Sequence, residues 1–210
     1  MLKIVTGQHS ILSQKAKPCT VSYGAKQAPK VNANILKLIE EMKHALLYAK
    51  DPEGVGLAAP QVSYPLRIFI IKPDSKSSIQ VFINPTITEK TKTSHLTETR
   101  DRVQSLNNKV VKKSPDSDSK NSETQLEGCL SLPNVWGNVK RKPTLTLSYL
   151  DENNKARTQK FKGFIATIIQ HEYDHLQGIL FPKRVLEQKG KLYKSHKNEK
   201  GEDVFEEIDI

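Results

Sequence analysis

Gly163-Phe164-Ile165-Ala166-Thr167-Ile168-Ile169-Gln170-His171-Glu172-Tyr173-Asp174-His175-Leu176-Gln177-Gly178 is the stretch whose reading decides how this chain folds. Apolar Phe164, Ile165, Ile168 and Ile169 precede a charged centre, and Leu176, Ile179 and Leu180 follow it. That framing predicts a buried helix running from near Gly163 to near Gly178. On a helix, positions i and i+4 stand one above the other on the same face. His171 and His175 are therefore spaced to grip one metal ion, with Glu172 beside them to handle a proton of an activated water. Ionisable groups on a buried helix need partners. A metal supplies one.

The H-E-x-x-H spacing is a metallohydrolase signature, yet it offers two protein ligands where such catalytic sites use three plus water. In one large protease class the third ligand is a histidine six residues beyond the second. Here that position holds Phe181, which cannot bind a metal. A second class takes a glutamate from further downstream. Glu187 and Glu199 are the nearest, but Lys189, Gly190, Lys191 and Lys200 give their segment the look of a solvated tail. The remaining source is cysteine. Cys129 lies in the apolar, tightly punctuated run Glu127-Gly128-Cys129-Leu130-Ser131-Leu132-Pro133, and a thiolate is a good soft ligand. Two other readings of Cys129 stay open: a buried structural thiol, and pairing with Cys19, although so cysteine-poor a chain shows no disulfide framework.

A third segment, Gly54-Val55-Gly56-Leu57-Ala58-Ala59-Pro60-Gln61, has small residues that let a backbone approach closely. It ends in Gln61, a neutral side chain able to donate a hydrogen bond to a developing oxyanion. Ala59 occupies the last glycine position of a dinucleotide loop, and no Lys-Ser/Thr ending marks a phosphate loop. By itself such a Gly/Ala-rich segment is more often simply a turn.

Taken in order, Gly54 to Gln61, Glu127 to Ser131 and His171 to His175 carry G-x-G-x-A-A-x-Q, E-G-C-x-S and H-E-x-D-H without a substitution at a fixed position. In these three motifs the chain resembles the peptide deformylase family. Ile83-Asn84-Pro85, Gln170, Leu176 and Gly178 agree with it as well, and the resemblance covers roughly residues 14 to 184 apart from one insertion. It implies an α+β fold, with antiparallel β-sheets packed around a central metal-binding helix. It implies that Cys129, His171 and His175 bind one divalent metal, ferrous iron being the family's usual ion and zinc and nickel forms also being seen. Glu172 would act as general base and then general acid. Gln61 and the backbone N–H of Leu130 would stabilise the oxyanion. The substrate implied is the formyl-methionine end of newly made polypeptides, from which formate is released. For substrate binding the resemblance points to backbone near Gly56 and Leu57, paired like an added strand. A methionine pocket would involve Val55, Phe164, Thr167 and Ile168, with Thr167 more polar than the family often has there. Arg141 falls where the family often carries a substrate-contacting arginine; its alternative is a solvated basic run with Lys140 and Lys142. An H-E-x-x-H metallopeptidase and a non-catalytic relative are the competing functions.

At 210 residues the chain suits one domain with a sizeable core. The expected division is a catalytic domain over 1–186, with a polar insertion at about 88–124, and a charged extension over 187–210. Ile35, Leu38, Ile39, Met42 and Leu46 predict a helix over about 31–49, on which His44 reads as a surface histidine. Residues 67–71, 80–84 and 144–150 are β-rich, with 155–162 returning as a hairpin partner. In the tail, Leu192-Tyr193 and Val204-Phe205 are expected to pair around Glu199-Lys200-Gly201. No apolar segment is long enough to span a membrane, and Met1 to Gln14 lacks both a signal-peptide core and the Arg-rich character of a transit peptide. A reducing, cytoplasmic setting is therefore expected. The net charge of +10 permits contact with an anionic surface, for which the ribosome is the natural partner of a deformylase. No motif for sequence-specific nucleic-acid binding accompanies it.

Overall fold

The computed structural model describes residues 2–23, 29–49, 53–88 and 124–208. Most of the expected 88–124 insertion lies outside the described residues. Strands β1 (Val21–Tyr23) and β2 (Pro29–Val31) form a small ribbon, followed by helix α1 (Ala33–Tyr48). Strands β3 (Gly56–Ala58), β4 (Ile68–Ile71) and β5 (Gln80–Ile87) come next, with a 3₁₀ turn at Ala59–Val62 between the first two. Then follow β6 (Thr124–Cys129), β7 (Leu132–Lys140), β8 (Thr144–Leu150), β9 (Ala156–Lys162), helices α2 (Gly163–Leu176) and α3 (Phe181–Glu187), and β10 (Leu192–Lys197) with β11 (Asp203–Ile208). One antiparallel sheet has the order β3-β4-β5-β8-β9 and another the order β11-β10-β7-β6. The α+β expectation holds, and the helix starting at Gly163 is central to it.

The core explains that placement. Strand β4 reads Ile-Phe-Ile-Ile and all four residues are fully buried, because the strand is covered on both faces. Ile68 and Ile70 pack with Leu38, Met42 and Leu46 of α1, while Phe69 and Ile71 pack with Ala166, Ile169 and Leu176 of α2. Phe69, Phe82 and Phe161 extend the second cluster through ring contacts. A third cluster joins Val139 of β7, Phe181 and Val185 of α3, and Leu192 of β10 to Cys129.

Helix α2 ends in a Schellman motif. The Gly178 amide donates to the His175 carbonyl and the Ile179 amide to that of Asp174. Gly178 sits at φ +70°, and a Cβ there would lie 2.6 Å from the backbone of Ser13, so only glycine suits this stop. The first residues of the chain lace the molecule together. The Val5 amide donates to Gln61 O, Gly7 to Ser131 O and Ala16 to Leu176 O, at 2.8, 2.9 and 3.0 Å.

Two expectations change. The tail does form a hairpin, but Leu192 pairs with Ile208 and Tyr193 with Glu207, whereas Val204 and Phe205 face His196 and Ser195. The turn at Asn198–Glu202 is wider than the expected three residues, because the Asn198 side chain accepts from the Lys200 and Glu202 amides. Nor is the tail simply solvated, since β10 joins β7 with Leu192 buried against Gly137. The two cysteines are free. Burial pushes the Cys19 thiol up to about 12 despite the nearby Arg67 guanidinium, which keeps it protonated and inert.

Candidate active site

The three segments singled out above converge on one cleft. It is lined by Gly54, Val55 and Gly56, by Gln61, by Gln125 to Leu130, by Trp136, and by Phe164, Thr167, Ile168, His171 and Glu172 of α2. Both bordering strands are sheet edges: β3 ends the five-stranded sheet and β6 the four-stranded one. Gly56 has a specific reason to be glycine. A Cβ there would collide with the Glu172 carboxylate, lying 2.8 Å from its Cδ. The missing side chain is the space in which Glu172 stands.

Cys129, at the end of β6, faces the buried side of α2. Its Sγ lies 3.3 Å from His175 Nε2, and ligand atoms of Cys129, His171 and His175 all lie within 4.8 Å of one another. His171 is oriented from behind: its Nδ1 meets Glu127 Oε2 at 2.9 Å, leaving the other ring nitrogen for the cleft side. The stacked ring of Phe181, 6.1 Å away, packs against the same imidazole. The residue that excluded a third histidine is thus a support for the first.

Glu127 is in turn gripped by Arg141, whose Nε and Nη2 donate to the two carboxylate oxygens at 2.8 and 2.9 Å. Arg141 Nη1 reaches Asp174 at 2.6 Å, and Arg184 holds the same carboxylate at 2.7 Å. Side-chain exposures of 8% for Arg141, 5% for Glu127 and 9% for Asp174 make this a buried charge network. Arg141 is thus buried rather than part of a solvated basic run. It does not line the cleft; its fork is committed to two carboxylates. The Leu57 side chain is fully buried in the cluster around α1, and its backbone lies on the edge strand β3. Glu187 and Glu199 take no part: Glu187 pairs with Arg184, and Glu199 lies exposed between β10 and β11. His44 is exposed on α1.

Gln61 is held with one orientation. Its Oε1 accepts from the Ala58 amide at 2.8 Å, so Nε2 is the donor aimed at Ser131 Oγ (3.2 Å) and Cys129 Sγ (3.6 Å). Among the described residues, Glu172 Oε2 and His175 Nδ1 are buried without a hydrogen-bond partner. Burial pushes the Glu172 carboxyl up to about 7. Burial, with His171 and Arg141 nearby, pushes His175 well below its ordinary value and keeps it a neutral imidazole. Burial opposes charge on His171 too, but hydrogen bonds to Cys129 and Glu127 outweigh it and raise that group. The anionic surroundings that favour a proton on His171 equally favour a cation between it, His175 and Cys129. The donor set and the unpartnered buried carboxylate fit a divalent metal with a water to activate.

Comparison with known proteins shows the family of the chain. The model of the polypeptide deformylase family matches residues 1–191. A peptide deformylase of Christiangramia forsetii is 32% identical over 210 residues, covering 93% of this chain and 87% of its own. The crystal structure of peptide deformylase from Thermotoga maritima superposes with a TM-score of 0.64 at 28% identity, covering 88% of this chain and 97% of that one. A Met-Ala-Ser-bound class I type b peptide deformylase from Acinetobacter baumannii gives a TM-score of 0.60 at 29% identity, covering 87% of this chain and 97% of its own. A metallopeptidase with a downstream third ligand is correspondingly disfavoured. The chain belongs to the polypeptide deformylase family, metalloenzymes that remove N-formyl groups from nascent peptides.

Proposed function

We propose that Cys129, His171 and His175 hold the metal, ferrous iron in the cell, and that Glu172, Gln61 and Leu130 carry the deformylation. The observation behind this reading is the meeting of three ligand atoms within 4.8 Å beside a buried, unpartnered carboxylate. A divalent ion on these donors supplies Lewis-acid activation of water and of the formyl carbonyl. Glu172 Oε2 takes a proton from the attacking water and later gives it to the departing amine. Its elevated affinity for protons, set by burial, suits both halves of that task. As negative charge grows on the formyl oxygen, Gln61 Nε2 and the Leu130 N–H meet it. The anchored Oε1 of Gln61 ensures that the amide presents nitrogen rather than oxygen.

The formyl-methionine peptide adds as an extended strand along the backbone of Gly56 and Leu57, with Val55, Phe164, Thr167 and Ile168 around the methionine side chain. The Met-Ala-Ser ligand of the A. baumannii relative supports a peptide in this cleft. Formate release from formyl-Met-Ala-Ser, assayed anaerobically with ferrous iron, tests the whole reading; metal binding without formate would sink it. Gln61→Ala is expected to lower kcat by about 10²–10³ with metal content unchanged by elemental analysis.

The enzyme works in the cytoplasm, in contact with the ribosome. Two free cysteines suit a reducing compartment, and no helix among the described residues is long and apolar enough to cross a membrane. The +10 charge provides the attraction. Co-sedimentation with ribosomes is expected at low salt and is lost as salt rises; binding indifferent to salt, or none, would remove the contact from the proposal.

A further inference from the structure

Gln170 of α2 and Gln188, just past α3, grip one short stretch of backbone between β7 and β8. The Lys142 N–H donates to Gln170 Oε1 at 3.1 Å, and Gln170 Nε2 returns a bond to the Lys142 carbonyl at 2.9 Å. Gln188 repeats the arrangement at Lys140, with bonds of 2.8 and 3.2 Å. Between the two clamps Arg141 turns inward to Glu127 and Asp174, whereas Lys140 and Lys142 are exposed. The corner thus buries one cation and carries two others on a fixed backbone.

These lysines open on a groove. One concavity takes in Lys140 and Lys142, and a second takes in Lys142, Thr144, Thr146, Thr158 and Lys160. The two share Ile87, Lys142 and Leu145, and neither shares a lining residue with the reaction cleft. Strand register continues the surface over the outer face of the sheet. Thr144 lies opposite Lys162 and Thr146 opposite Lys160, alternating with Leu145, Leu147 and Phe161 of the core. No strand of that five-stranded sheet contains Asp or Glu. The acids on the groove's wall, Asp174 and Glu187, are both held by Arg184.

We propose that this groove binds the phosphate backbone of RNA, which is ribosomal RNA in the docked enzyme. Lys140, Lys160 and Lys162 meet phosphates, and the threonine hydroxyls add neutral donors. This surface rests on the ribosome contact proposed above and gives that contact a place. A concave, cationic track follows a strand, whereas a flat lipid surface meets a groove only at its rims. Tyr173, the one aromatic lining residue among the described ones, is engaged by Arg67. Bases therefore find no stacking platform, and binding ignores sequence.

The full-length, iron-loaded enzyme is tested against purified ribosomes and naked ribosomal RNA. Lys140→Gln/Lys160→Gln/Lys162→Gln changes three exposed side chains, and Lys3→Gln/Lys37→Gln/Lys76→Gln removes the same charge from exposed positions elsewhere. The groove variant should bind both probes roughly 10–100-fold more weakly at about 0.1 M salt, with the slope of log affinity against log salt reduced by about 2–3. The control variant should stay within about 2-fold of wild type. Formate release from free formyl-Met-Ala-Ser should be unchanged in both, while deformylation of ribosome-bound nascent chains slows in the groove variant. Equal loss in the two variants, or loss in neither, overturns the proposal and leaves the deformylase reading intact. Phosphatidylglycerol vesicles that retain wild type and release the groove variant, with RNA binding unaltered, overturn it in favour of a lipid surface. If wild type does not bind ribosomes, the ribosome contact fails and naked RNA decides. Loss in the groove variant alone then upholds the surface, and any other result overturns it.

Discussion

Glu172→Gln is expected to lower formate release by about 10²–10⁴-fold and leave the metal in place. Glutamine keeps the shape of glutamate but takes up no proton, and it stands in the space left by Gly56. The three proposed ligands, Cys129, His171 and His175, are untouched by the change. The wild-type carboxylate is buried with one oxygen unpartnered, a costly arrangement for any group without a task in the cleft. Because burial disfavours its charge, removing that charge should not destabilise the fold. Thermal melting and elemental analysis should therefore match wild type while anaerobic turnover collapses. A variant that turns over at a tenth of the wild-type rate or better would show that the proton passes through another group.

Arg141→Met is expected to damage the protein more broadly. It strands Glu127 and Asp174, both nearly inaccessible, without their shared guanidinium. Breaking a buried ion network by removing one partner typically costs about 3–5 kcal/mol, a large fraction of the roughly 5–15 kcal/mol that holds a domain folded. Loss of Glu127's grip on His171 should also weaken metal binding by about 10–100-fold. Burial raises the Glu127 carboxyl, but hydrogen bonds from Arg141 and His171 outweigh it and hold the group at about 2. A depressed carboxyl contributes stability above its unfolded value, and that contribution fades as pH falls toward about 2. In Arg141→Met the acid-unfolding midpoint should therefore move to higher pH. If Arg141 instead served the substrate, KM would rise with melting temperature and acid midpoint unchanged. That outcome would favour the substrate-contact expectation.

The contrast between these residues shows what a sequence exposes. That Gln61, Cys129, Glu172 and both histidines would converge was legible because each stands in a short motif with a particular chemistry. The helix that carries two of them was legible because its apolar flanks have one period and a glycine stop. The burial of Arg141 was not legible, because between two lysines it looks like part of a solvated basic run; that burial depends on Glu127 and Asp174, which arrive from β6 and α2. Strand β7 escaped notice for a related reason. Pro133, Asn134, Gly137 and Asn138 interrupt its alternation, and what makes it a strand is pairing on both sides, with β6 and β10. Trp136 followed it into obscurity. Helix α3 is only seven residues long, and Pro182 at its first turn resembles a breaker until the structure shows it to be a starter.

The lacing of the N-terminal segment has a consequence in time. Val5 and Gly7 are bonded to the backbone of Gln61 and Ser131, and Ala16 to that of Leu176. Ala16 is synthesised some 160 residues before its partner Leu176. Until α2 has been added, this segment lacks the neighbour that completes its ties, and such long-range closures form slowly. An enzyme that trims other chains as they are born closes this tie in its own chain only after α2 has been translated.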